Sequence, residues 1–259
     1  MPIAEARKKT MHTFKELTDG ILREITILIE NIKNQHTEEL TRVVTSHLLA
    51  LAPPESIERE IPPLENYLVK IFHSHSEIVK SLEMLRNIPF YISRFPYSKT
   101  RITREEYMRF HVEAFFNEIY IFKERLEKYC KTIERQFKSD PSTPNAKQQI
   151  SEATTTAISA LSELIKKRGA HVHEKRLDES NIDRIGTLEL LWRNSEGAFS
   201  EITHYNYKKE VRRIKKIWKE NMEEIITQLE EILNNISSII YPIIFNLGTN
   251  TLRQPHGVR

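Results

Sequence analysis

Apolar residues recur at spacings of three and four almost from one end of this chain to the other, the signature of helices with one buried face. Ile21, Ile25, Leu28/Ile29 and Ile32 predict a first helix over about 12–35, and a second, 37–52, is stopped by Pro53-Pro54. Pro62-Pro63 then opens a helix from Leu64 to Arg86, because proline suits a first turn, whose N–H has no partner anyway. The aromatic, proline-broken run IPFYISRFPYSKTR (88–101) reads as a packed connector. From Thr103 to about Phe137 a long helix carries Phe115, Ile119, Phe122, Leu126, Cys130, Ile133 and Phe137 on one stripe. After the loop SDPSTPN, a helix from Lys147 to about Arg168 presents Ile150, Thr154, Ala157, Ile158, Leu161, Leu164 and Ile165. A helix near 180–195 and a final one over about 199–241 complete the chain. In the last, Trp218, Met222, Ile225, Leu229, Ile232, Ile236 and Ile239 form a heptad-like seam suited to packing within or between chains.

The expectation is an all-α bundle of six or seven helices, and the scarcity of glycine supports it. Only 6 glycines occur in 259 residues. A dinucleotide fold or a phosphate loop needs clustered glycines to bring backbone amides onto phosphate, and no such motif is present. Sandwiches and barrels need turn glycines at regular intervals, which are also missing. The single Cys130 excludes an internal disulfide and a thiolate zinc site. No apolar run is long enough to span a bilayer, so no membrane partner is expected. The N-terminal MPIAEARKKTMHTFKEL lacks the apolar core of a signal peptide, which makes a cytoplasmic protein the expectation. A net charge of +3 permits nucleic-acid binding without requiring it.

One segment stands out for chemistry: Lys166-Lys167-Arg168-Gly169-Ala170-His171-Val172-His173. Leu161, Leu164 and Ile165 precede Arg168 by seven, four and three residues, so Arg168 extends the buried face of its helix. A guanidinium placed there must find an anion. Gly169 suits the left-handed position that ends a helix. His171 and His173 then share one side of an extended segment. A neutral imidazole exchanges protons near neutral pH, and a guanidinium forks onto phosphate oxygens, so the pair suits phosphodiester chemistry.

This segment resembles the R-x4-6-H motif of the HEPN superfamily, all-helical domains named for nucleotide binding in higher eukaryotes and prokaryotes. The resemblance extends over about residues 98–245 and includes the helix FHVEAFFNEIYIFKERLEKYC (110–130) that precedes the motif-bearing one. Three other Arg/His pairs fit the bare spacing, at Arg7/His12, Arg42/His47 and Arg104/His111, but only Arg168/His173 combines a buried-face arginine with a helix stop. The resemblance implies a metal-independent endoribonuclease without cofactor, acting as a homodimer on RNA. His173 would be the acid/base, Arg168 the phosphate clamp, and His171 an accessory. It further implies a toxin, phage-defence or stress effector, with an antitoxin or regulatory partner. Asn117 and Glu118, polar interruptions in FFNEIYIF, are candidates for orienting the pair. Active members often carry a polar residue where this chain has Gly169. A silent RNA- or nucleotide-binding module and a helical scaffold therefore stay open beside the enzyme. On this reading residues 1–97 form an N-terminal helical region and 98–259 the HEPN-like domain.

A second feature is basic. Between positions 208 and 219 lie seven cations, Lys208, Lys209, Arg212, Arg213, Lys215, Lys216 and Lys219, against one acid, Glu210. Tyr205, Tyr207 and Trp218 are interleaved, so the stretch is a candidate RNA face where phosphates meet cations and bases meet rings. The alternative is a solvated flank beside a packed stripe of Val211, Ile214 and Trp218. A di-iron site would need a second Glu-x-x-His pair besides Glu201/His204, and none is found, so no metal site is expected.

Overall fold

A computed structural model describes residues 12–35, 63–96, 101–137, 143–161, 180–246 and 252–253, with isolated positions at 37, 41 and 45. Among them are six helices: α1 (Phe14–Gln35), α2 (Pro63–Ser93), α3 (Arg104–Phe137), α4 (Ala146–Ala160), α5 (Ser180–Arg193) and α6 (Gly197–Ile244). The described residues contain no strand, only an isolated bridge between Phe245 and Leu252. The all-α expectation holds.

Local chemistry explains where helices start. Thr13 and Glu16 form a reciprocal cap on α1, the Thr13 hydroxyl accepting from Glu16 N–H at 3.2 Å and the Glu16 carboxylate accepting from Thr13 N–H at 2.7 Å. Thr103 and Glu106 repeat that arrangement at α3, at 3.1 and 2.8 Å. Each pair satisfies two amide donors that helical geometry leaves without partners. Gly197 opens α6 with a φ of 60°, a conformation that favours glycine.

Two helices outrun the sequence expectation. α2 does not stop at Arg86 but continues through Pro89 to Ser93, so the first part of the expected connector is helical. Ile88 and Ile92 prolong the buried stripe of Ile78, Leu82 and Leu85, and that burial outweighs the one backbone bond a proline forfeits near a helix end. α6 likewise passes Pro242, carried by buried Ile240, Tyr241, Ile243 and Ile244. The expected heptad seam is also corrected. Along its middle, α6 buries Val211, Ile214, Met222, Ile226, Leu229, Leu233, Ile236 and Ile240. Ile225, Ile232 and Ile239 are only half-buried. From Met222 to Ile240 the steps are still four and three, so Met222, Leu229 and Ile236 are buried as expected, while the alternate members shift by one residue to Ile226, Leu233 and Ile240.

The chain packs into two compact units, one of residues 1–76, 128–154 and 233–259, the other of residues 77–127 and 155–232. Neither is a continuous stretch, whereas the expected division at residue 97 is one between continuous segments.

The first unit is built around Leu17, Ile21, Tyr67, Ile71, Tyr129, Ile133 and Phe137, closed by Phe245. Gly20 is required there, since a Cβ would stand 2.9 Å from the Phe245 ring. Its buried polar residues include His75 and Ser237. Thr18 donates to the Phe14 carbonyl at 2.8 Å, and its Oγ1 lies 2.9 Å from His75 Nε2. The imidazole must therefore donate from Nε2, which leaves Nδ1 a buried acceptor with no donor. The hydroxyls of Tyr67, Tyr129 and Ser237 are buried without partners as well. Burial drives the His75 pKa down to about 4.

In the second unit Phe115, Phe122, Leu126, Leu85, Ile92, Ile182, Ile185 and Ile214 form the core. Charge enters its interior: Glu189 and Glu210 are both buried.

Candidate nucleic-acid interface

The second unit carries a cleft of about 530 Å³ between the end of α5, the start of α6 and the residues around the α2–α3 connection. Three rings stack along one wall. Trp192 of α5 lies parallel to His204 of α6, with centroids 4.2 Å apart and planes at 9°, and Tyr207 stacks on Trp192 at 5.5 Å and 21°. His204 and Tyr207 are one turn apart, so a single α6 face presents both rings.

Glu189 ties this wall together. Its carboxylate accepts from Arg193 at 2.5 Å and from the Tyr207 hydroxyl at 3.3 Å. Burial, with the Glu189 charge beside it, pushes the Tyr207 hydroxyl up to about 12. Glu189, the only acid lining the cleft among the described residues, is thus held by its neighbours. Also in the lining, the Arg104 guanidinium lies over the Phe95 ring, 4.7 Å from its centroid. That contact positions the planar group by its face and leaves its N–H edge for other partners.

Three further cations enter from α6. Lys208, Arg212 and Lys215 are spaced four and three residues apart, on one helical face with His204, and all three line the cleft. Lys215 donates to the Ser93 carbonyl. Burial lowers its pKa, and so does the positive charge of Arg104. Among the described residues no carboxylate pairs with Arg104, Lys208 or Arg212. The cleft therefore holds a concentration of positive charge that its own acid does not neutralise, next to stacked rings.

The structure sorts the seven basic residues expected to face RNA. Lys208, Arg212 and Lys215 line this cleft. Arg213 turns away and forks onto buried Glu210 at 2.9 and 2.7 Å, with Asn181 as a further acceptor. That hydrogen bond holds Glu210 below its ordinary carboxylate range, with Arg184 and Lys209 adding to it. Lys216 sits 3.8 Å from Glu220 on the exposed surface, and Lys209 is exposed. Lys219 lines a second cavity of about 630 Å³ with Arg86, Phe90, Arg94, Glu223 and Glu230. There the positive charge is largely compensated: Arg86 is bonded to Glu230 and Glu83, and Lys219 lies 3.6 Å from Glu223. Of the interleaved rings, Tyr205 is exposed, Tyr207 is buried within the cleft wall, and Trp218 packs edge-on to Phe116.

Arg168, His171 and His173 lie outside the described residues, which resume at Ser180 after Leu161. Glu118 is engaged in the second unit: it accepts from Ser81 at 2.6 Å and lies 3.5 Å from Arg125, which also reaches Ser81 and Glu77. Asn117 is exposed. Arg104, Trp192, Arg193 and His204 were not anticipated as site residues. The dipeptide Trp192-Arg193 at the end of α5 is the local hint, but only packing brings it beside α6. No group of three or more His, Cys, Asp or Glu able to hold a metal exists among the described residues, and no described helix is long and apolar enough to cross a membrane. Comparison with protein-family models, with curated proteins and with solved structures returns no match.

Proposed function

We propose that this chain is an RNA-binding helical protein of HEPN type, that it grips RNA phosphates in the α5–α6 cleft, and that it cleaves the bound strand without a metal ion. The observation that carries the binding half is the convergence of Arg104, Lys208 and Arg212, none paired to a carboxylate among the described residues, on one ring-lined cleft. Like charges held together raise one another's free energy, and a polyanion relieves that repulsion while releasing its own counterions. The cleavage half rests on the resemblance of the Arg168–His173 segment. His173 exchanges a proton with the RNA 2′-hydroxyl or the leaving oxygen, Arg168 clamps the phosphate, and a second copy completes the cleft. A toxin, phage-defence or stress role belongs to the same resemblance.

The test is incubation of purified protein with a labelled mixed RNA pool in EDTA. Wild type, Arg168→Ala, His173→Ala and the double variant Lys208→Ala/Arg212→Ala run side by side, each checked for folding by circular dichroism. The expected result is cleavage in chelator that leaves cyclic-phosphate ends, is lost in the first two variants with binding retained, and is weakened in the third together with binding. RNA retention without cleavage by wild type leaves the silent module. Absence of both overturns the proposal.

A further inference from the structure

We infer that the Trp192–His204–Tyr207 stack is a seat for one unpaired nucleobase, so that the cleft selects single-stranded over duplex RNA. This rests on the reading of the cleft as an RNA site. Three nearly parallel rings, one contributed by α5 and two by α6, form the edge of a cavity whose volume of about 530 Å³ suits a single nucleotide. Every base has a π-face, so a further ring extends such a stack without regard to sequence. A base inside a duplex is already stacked on both sides and cannot offer its face without leaving the helix.

The phosphate positions follow from the same helix. Lys208 lies one turn beyond His204, and Arg212 and Lys215 continue along that face. Rings come first and cations after, the order in which a nucleotide presents its base and then the backbone that leads away from it. From His204 to Lys215 the helix rises about 16 Å, so the cations extend over more than one phosphate of a strand that leaves the seat. Arg193 stands beside the ring wall, where buried Glu189 pairs with its charge. The second cavity is the contrast: its carboxylates already pair with Arg86 and Lys219, and among the described residues no stack of three rings lines it.

Only two tryptophans occur in the chain, which makes the seat directly observable. In full-length Trp218→Phe protein, Trp192 is the sole indole. Its fluorescence is followed on titration with adenosine 5′-monophosphate, with ribose 5-phosphate, and with single-stranded and duplex RNA of equal length. The expected result is quenching by the nucleotide and by the single strand, with each binding roughly tenfold or more tighter than its counterpart that lacks an available base. His204→Ala keeps Trp192 in place and reduces that advantage, while Trp192→Phe retains a ring and preserves most of it. Equal binding of nucleotide and ribose phosphate with Trp192 unperturbed, or duplex bound as tightly as single strand, overturns the base seat and leaves RNA binding standing. Failure of every RNA to bind overturns both.

Discussion

The two compact units of this chain differ in the side chains that are wholly buried and polar. The first hides neutral ones, His75, Tyr67, Tyr129 and Ser237, and leaves polar atoms in each without a partner. The second buries carboxylates, Glu189 and Glu210, and surrounds them with arginines. Neutral burial costs desolvation and gives nothing a ligand can use. Charged burial fixes the arginines around it: Glu189 holds Arg193 at the cleft wall, and Glu210 draws Arg213 away from it. The cations that remain for an external anion are those no carboxylate claims. The candidate binding surface is thus the remainder of an internal pairing, which explains why only some of the seven basic residues face the cleft.

This contrast can be broken from the acid side first. His75 titrates near 6.5 when unfolded and about 4 when folded, so the unfolded chain takes up the proton first as pH falls. Its contribution to stability is complete above about pH 6.5 and is lost on going down to about pH 4, a loss of roughly 3 kcal/mol. Urea midpoints measured across that window should fall more steeply for wild type than for His75→Phe. Parallel slopes would show that the imidazole is already hydrated in the folded protein.

In the second unit, Glu189→Ala removes the acceptor of both Arg193 and Tyr207 and should cost about 2 kcal/mol. It should also loosen Arg193, which RNA affinity would report separately from thermal melting. The matching change in the first unit has the opposite sign. Tyr129→Phe deletes a buried hydroxyl that makes no hydrogen bond, so it should leave stability unchanged or raise it by up to about 1 kcal/mol. A clear loss in thermal denaturation would mean that an ordered water satisfies that group. Smallest of all is the expected effect of Lys208→Ala or Arg212→Ala on folding, within about 0.5 kcal/mol, because both side chains are exposed and pair with no carboxylate among the described residues.

Most of the fold was legible in the sequence because helix period and capping are local. The whole stripe of α3 from Phe115 to Phe137 is buried as its spacing predicts, and Thr13/Glu16 and Thr103/Glu106 are capping pairs written in four residues. Pro89 misled because proline marks a probable helix end, while the burial of Ile88 and Ile92 depends on residues far along the chain. The α6 seam misled for a related reason. Ile225/Ile226 and Ile232/Leu233 offer adjacent apolar choices, and only the neighbouring helices decide which member is inside. The basic stretch of α6 was visible as charge, but which cations remain free was not. That depends on Glu210 capturing Arg213 and on Trp192 of α5 meeting His204, both consequences of packing.

The salt dependence of RNA binding tests the central claim most directly. Affinity of wild type and Lys208→Ala/Arg212→Ala for a short single strand is measured over a range of salt concentrations. If the cleft is the site, the double variant binds more weakly, and its log–log slope is shallower by about 1.4, two phosphate contacts at ~0.7 each for a single strand. Equal affinity and an unchanged slope would contradict the account, because the phosphates would then lie somewhere other than the α5–α6 cleft.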